Sequence, residues 1–223
     1  MSNGDLKIGE SGLQFFGKMT ASISHEIKNV LAIINEHAGI LEDLVLMEDR
    51  GVPLDPEKVG GVAKRVAVQI QRADGIIKKM NKFAHSVDRS EASIDICEVV
   101  SLVASLSERF ALNKGVTLEL RPSDRPVTLN THPFYLENLV WQCLDLAMDA
   151  SGEDKTVGLV TEGRENGAVI RFTQLGALAE TRPGEFPAGS AKALLAALNA
   201  RMVVDAESRE IVLTLPADSG PRS

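Results

Sequence analysis

Residues 21–31, A-S-I-S-H-E-I-K-N-V-L, place a histidine beside a glutamate with an asparagine four residues on. A neutral imidazole nitrogen is a good nucleophile toward phosphorus near neutral pH, because histidine ordinarily titrates near 6.5. An adjacent carboxylate, Glu26, could take the other ring proton, fix the tautomer and strengthen the attacking nitrogen. Asn29, one turn along the helix from His25, could orient a water toward a phosphoryl group or hold one of its oxygens. Lys28 could offset phosphate charge. A histidine beside a glutamate also occurs on ordinary solvated helix faces, so spacing alone leaves both readings open.

The elements that would carry these residues follow from periodicity. Over residues 12–48 the apolar positions Ile23, Ile27, Val30, Ile34, Ala38, Leu41 and Val45 keep helical spacing with no proline. The break R-G-V-P-L-D-P-E has a glycine suited to ending a helix, and Asp55-Pro56 suits the start of the next. A second stripe runs Val59, Val62, Val66, Ile70, Ala73, Ile77, Met80, Ala84 and Val87, in near-heptad steps. Two helices of about 35 residues, roughly 50 Å long at about 1.5 Å per residue, would leave both stripes uncovered in a lone hairpin. Two copies would cover them as a four-helix bundle, so a homodimer is expected. At about 100° per residue His25 points away from the first stripe, with Ala21, Ser22, Lys28, Asn29 and Ala32 around it.

After Ala92 the pattern changes. A helix with its N-cap near Asp95 is followed by strands G-V-T-L-E-L-R and P-V-T-L-N. The proline-opened amphipathic helix P-F-Y-L-E-N-L-V-W-Q-C-L-D-L-A-M-D-A comes next. Strands T-V-G-L-V-T-E and A-V-I-R-F-T-Q are joined at Glu165-Asn166-Gly167. A helix over A-G-S-A-K-A-L-L-A-A-L-N-A and strands at 202–205 and 210–215 close the chain. The expected fold class is α+β: a helical hairpin over residues 1–91, then helices over one mixed sheet in residues 92–223.

Composition narrows the function classes. Of 223 residues 44% are hydrophobic but only 4% aromatic, so the core should be mostly aliphatic. Charges balance through Ser90, so the net charge of −7 arises entirely from Glu91 onward. There is no long basic run, which argues against a nucleic-acid partner. No apolar run is long enough for a transmembrane helix, and the first residues lack a signal peptide's apolar stretch, so a soluble cytoplasmic protein is expected. Cys97 and Cys143 stand apart among apolar neighbours and read as buried free thiols. His37 reads as a surface or interface histidine, His85 as a cation at the end of the second helix, and His132 as a loop residue. No metal is expected: no His/Cys/Asp/Glu cluster has the spacing of a metal site.

The stretch S-H-E-I-K-N-V-L resembles the H-box of two-component sensor histidine kinases, S-H-E-[LI]-[RK]-[TN]-P-L. Ser24, His25, Glu26, Ile27, Lys28, Asn29 and Leu31 match it, and Val30 stands where the family usually has proline. R-A-D-G-I-I-K-K-M-N-K-F-A resembles the family's R-x-x-x-I-I-x-x-L-L-x-F-[AS] in the second helix. The resemblance implies that His25 is the phospho-acceptor, Glu26 the assisting base and Asn29 a residue used in dephosphorylating a partner.

The order of elements after residue 92 resembles the family's ATPase domain, so the resemblance runs over about residues 13–216, but three nucleotide motifs depart from it. In the N-box frame, residues 136–150, Gln142 and Leu146 stand at the two asparagine positions, and a leucine cannot hold the magnesium that bridges ATP phosphates. Gln174 replaces the aspartate of D-x-G-x-G, whose second glycine is missing. Of the glycine-rich lid only Gly189 remains, and the acidic excess of this half would repel ATP.

The expectation is therefore a dimeric histidine phosphotransferase with an ATPase-like domain that binds no nucleotide. It would relay phosphoryl groups through His25 between response-regulator receiver domains, with no cofactor of its own and magnesium supplied by the receiver. The alternatives are a phosphatase of a phosphorylated receiver, a non-catalytic scaffold, or an active kinase with a diverged ATP site.

Overall fold

The computed structural model describes residues 3–181, 186–187 and 189–217. The chain forms two compact units. Residues 20–82 make one, and the described residues up to 19 together with those from 83 onward make the other.

The first unit is built from the parts of two long helices, α1 (Asn3–Asp49) and α2 (Pro56–Ala84), that fall within residues 20–82. The turn between them follows its residue types. The Gly51 N–H donates to the Glu48 carbonyl at 2.8 Å and that of Val52 to Met47 at 3.0 Å, with Gly51 at φ +87°. Asp55 opens α2 by accepting from the Glu57 N–H at 2.9 Å. Both helices differ from the equal lengths expected, with 47 residues in α1 and 29 in α2.

The apolar stripe of α2 divides into two. Val62, Ile76 and Phe83 are buried and Val66, Gln69, Ala73 and Met80 half-buried, a seam in alternating steps of four and three. Ile70 and Ile77, read from sequence as part of one stripe, are 56% and 41% exposed. The reason is angular. The apolar arc of α2 is wider than one helix can cover, so positions one residue past the seam stay outside. The seam of α1 likewise runs through Ile23, Glu26, Val30, Ile33, His37, Leu41 and Leu44. Leu31, Ala38 and Val45, each one residue past it, are exposed. His37 is part-buried there, its Nδ1 2.7 Å from the Ile33 carbonyl.

The second unit is an α+β sandwich. Its strands are β1 (Ala92–Asp95), β2 (Thr117–Arg121), β3 (Thr128–Thr131), β4 (Thr156–Arg164), β5 (Gly167–Thr173), β6 (Arg201–Asp205) and β7 (Glu210–Pro216). Its helices are α3 (Ile96–Lys114), α4 (Pro133–Asp149) and α5 (Gly189–Ala197). Five strands form a mixed sheet in the order β2-β4-β5-β7-β6, parallel between β2 and β4 and antiparallel elsewhere. One sheet was expected; β1, too short to announce itself, pairs with β3 in a second, two-stranded sheet. Gly167 closes the β4–β5 hairpin at φ +145°, where a Cβ would collide with the Leu215 carbonyl oxygen. The core is aliphatic between α3, α4 and the five-stranded sheet, with Leu136, Leu139, Leu144, Leu159, Ile170 and Leu213 sealed from solvent.

Aromatic rings concentrate elsewhere, at the base of the long helices. Phe16 stacks on Phe83 at 5.3 Å between ring centroids, and Phe15 meets Phe83 edge-on at 5.3 Å, Phe134 at 5.6 Å and Trp141 at 6.5 Å. Buried Glu137 of α4 accepts from the Ser86 hydroxyl at 2.7 Å, in the short 3-10 turn His85–Asp88. That turn takes His85 out of α2, where it faces Asp88 at 2.7 Å instead of capping the helix. Cys143 is fully buried, which pushes its thiol up to about 12, whereas Cys97 is only part-buried. Lys114 reaches Asp145 and Asp149 at 2.7 Å each. Burial works against its charge, but the two carboxylates more than offset this and raise its pKa.

His132, expected in a loop, is the N-cap of α4. Its Nδ1 accepts from the Tyr135 N–H at 3.4 Å, and its ring stacks on Tyr135 at 3.6 Å. Accepting requires an unprotonated nitrogen, and burial lowers the His132 pKa below its usual value. The unfolded chain therefore takes up this proton at a higher pH than the folded one. The stability from this group is fully present above about pH 6.5 and declines as pH falls through the lowered folded value. Replacing His132 with Asn keeps a capping side chain without the titration. Melting curves should show wild type losing more stability than His132→Asn between pH 7.5 and 5. A difference that does not change with pH would refute this role.

Candidate functional site

Helix α1 presents the histidine face to solvent. His25, Lys28 and Asn29 are exposed, as are Ser24 and the small neighbours Ala21 and Ala32. Ser22, expected beside them, is buried. Glu26 is half-buried because it occupies a seam position, about 100° around the helix from His25. His25 makes no hydrogen bond or ion pair among the described residues, so its ring is open to an incoming group. Asn29 lies one turn further along the same side of α1. The helix thus brings His25, Asn29 and Lys28 to an open surface and holds Glu26 at its margin.

The positions read as nucleotide-binding remnants lie in the other unit, and each is held by the chain itself. Gln142 Nε2 donates to Ser11 Oγ at 3.1 Å and to Asn138 Oδ1 at 3.0 Å. Asn138 Nδ2 donates to Ser11 Oγ at 3.2 Å, and Ser190 Oγ donates to Gln142 Oε1 at 3.3 Å. One glutamine side chain therefore joins the first turns of α1, the middle of α4 and the start of α5. A polar hollow of about 210 Å³ remains beside this clasp, lined by Gln14, Lys18 and Asp145 among others, with the Lys18 ammonium 5.8 Å from the Trp141 ring. Leu146, one turn on, is half-buried.

Gln174 ends β5 in the left-handed region at φ +68°. The residues after it fold inward, with Leu175 and Leu178 sealed from solvent and the Ala177 N–H donating to the Ala150 carbonyl at 3.0 Å. Gly152, at φ +71°, allows that approach, since a Cβ there would stand 3.0 Å from the Gly176 Cα. Gly189 is the first residue of α5, and Ala188 before it lies outside the described residues.

Sequence reasoning found Gln142 but missed its partners. Asn138 is legible as an i, i+4 neighbour on α4. Ser11 and Ser190, 131 and 48 residues away from Gln142, carry no local signal.

No protein-family model matches the chain, and no curated protein matches it. Solved structures similar to it include the catalytic domain of the histidine kinase ThkA, at 8% identity over 59% of this chain and 99% of that one, TM-score 0.49. They also include the Acinetobacter baumannii histidine kinase AdeS, at 14% identity over 86% and 98%, TM-score 0.48. A third is ThkA in complex with the response regulator TrrA, at 13% identity over 92% and 63%, TM-score 0.45.

The clasp is testable alone. Gln142→Leu removes one donor–acceptor side chain and leaves the Ser11 and Asn138 groups short of a partner, which should cost about 1–3 kcal/mol. Denaturant unfolding should show that loss, and limited proteolysis should cut the first nineteen residues faster. A variant as stable and as resistant as wild type would remove the clasp from the account.

Proposed function

We propose that this protein is a dimeric histidine phosphotransferase of a two-component phosphorelay, acting through His25 without ATP. The observation that carries the reading is the open imidazole of His25 with Asn29 one turn along and Lys28 exposed beside it. The donor is the aspartyl phosphate of a response-regulator receiver domain. The unprotonated ring nitrogen of His25 attacks phosphorus. An N–P bond forms as the acyl O–P bond breaks, and the freed carboxylate leaves with the electron pair. The other ring N–H is left more acidic and is stabilised by a carboxylate, the role assigned to Glu26. Lys28 offsets phosphate charge as the group arrives. Reversal onto a second receiver completes the relay. Magnesium belongs to the receiver's acidic pocket.

The use of Gln142 as a clasp, and the sealed leucines after Gln174, support an α/β unit kept for shape and docking rather than for nucleotide. Asn29 also favours a second reading, in which it positions water to hydrolyse the receiver's aspartyl phosphate.

Two apolar rows left uncovered in the hairpin support the dimer. Leu31, Ala38 and Val45 recur every seven residues on α1, and Ala63, Ile70 and Ile77 on α2. Each follows a seam position by one residue. In antiparallel helices equal rotations from the seam fall on the same side of the pair, so both rows share one face. A second copy of that face would bury it as a four-helix bundle.

Two experiments test this reading. Incubation with a panel of receiver domains carrying labelled aspartyl phosphate should move label to the wild type and not to His25→Gln. Asn29→Ala should keep the transfer and lose any hydrolysis of the receiver phosphate. Label on His25→Gln would sink the assignment of His25. In light scattering, the wild type should run as a dimer and Leu31→Lys/Ile70→Lys as a monomer; a dimeric double variant would sink the bundle.

A further inference from the structure

His25 shares its side of the hairpin with a row of unpaired cations on the other helix. His25 and Asn29 each precede a seam position of α1, Glu26 and Val30, by one residue. Arg65, Arg72 and Lys79 each precede a seam position of α2, Val66, Ala73 and Met80, by one residue. The same rotation from the seam, taken in antiparallel helices, puts all five on one side, opposite the apolar rows. The hairpin turn gives the level: α1 ends at Asp49 and α2 starts at Pro56. Twenty-four residues back along α1 is His25, and twenty-four on along α2 is Met80. Lys79 then lies about 1.5 Å and Arg72 about 12 Å along the axis from the level of the histidine.

The surface there is open and basic. A Cβ added at Gly75 would meet nothing within 4 Å. Arg65, Arg72, Lys79 and Lys28 are exposed and have no ion-pair partner among the described residues, whereas Lys78, pointing to another side of α2, is paired with Asp74 at 2.8 Å. Farther along α1 this side turns acidic, since Glu36 and Asp43 also precede seam positions, His37 and Leu44, near Arg65, with Glu42, Glu48 and Asp49 beyond. A chain of net charge −7 thus keeps basic side chains beside His25.

We propose that Arg72 and Lys79 form the docking seat for the acidic protein surface that surrounds the donor's aspartyl phosphate, steering it onto His25. The proposal rests on the reading of His25 as phosphoryl acceptor. A receiver's phosphorylation site is a carboxylate cluster, and a basic row at this level attracts it before contact is made. Charges of this kind act chiefly on association rate and fade with salt.

The test uses the full-length chain and Arg72→Glu/Lys79→Glu, with melting temperature and dimer mass checked for both. Each protein is treated with phosphoramidate, a small phosphoryl donor with no surface to dock, and label on His25 is read by peptide mass. Transfer from a labelled receiver domain is then timed at low and high salt. The account expects phosphoramidate to label both proteins. It also expects the double variant to accept from the receiver roughly tenfold or more slowly at low salt, with a much flatter salt dependence. Equal transfer rates with equal salt dependence would overturn this proposal and leave His25 as the acceptor. Failure of phosphoramidate or any receiver to label His25 would overturn the acceptor reading and this proposal with it.

Discussion

Aromatic rings tie the first turns of α1 to the last turn of α2. Phe16 stacks on Phe83 while Phe15 fills the angle between Phe83, Phe134 and Trp141. Each such pair contributes about 0.5–1.5 kcal/mol beyond its buried area, and rings resist sliding in a way aliphatic side chains do not. A slip of one turn there would move every residue of α2 by about 5 Å against α1. In a chain with so few aromatics, spending six of them on this cluster, Phe110 included, defines one alignment out of several that heptad packing would permit.

Each long helix has three sides. The seam holds the pair together. One residue past the seam lies the apolar face proposed for a second copy. One residue before it lie His25 and Asn29 on α1 and the basic row on α2. In the proposed dimer the chemistry and the association would fall on opposite sides of the same hairpin, so burying the apolar face would leave the histidine open. In the α/β unit, side chains at the positions read from the sequence as nucleotide remnants are engaged in holding elements together. Gln142 joins three helices, and Leu175 and Leu178 anchor the turn after β5.

Much of this was legible in the sequence. The Gly51 and Asp55 signals at the hairpin turn, the Asp95 cap, the proline opening α4 and the Glu165-Asn166-Gly167 turn act through local backbone chemistry, and each stands where its residues imply. The exposure of His25, Lys28 and Asn29 followed from 3.6-residue periodicity alone. Most of the misreadings depend on contacts distant in sequence. The α2 stripe was read as one seam because periodicity records which residues are apolar, not which neighbour covers them. Strand β1 has four residues and exists through its pairing with β3. His132 looked like a loop residue because a histidine cap has no strong sequence signal. Ser11 was passed over because its partners lie more than a hundred residues away.

The central claim is that His25 is charged by a protein phosphoryl donor and not by nucleotide. The most direct measurement is exposure of the purified protein to magnesium and γ-labelled ATP, beside His25→Ala, with bound label read after acid and alkali treatment. The account predicts no label on either protein. Alkali-stable, acid-labile label on the wild type that is lost in His25→Ala would make the chain a working histidine kinase and contradict the structural role given to Gln142, Leu146 and Gln174.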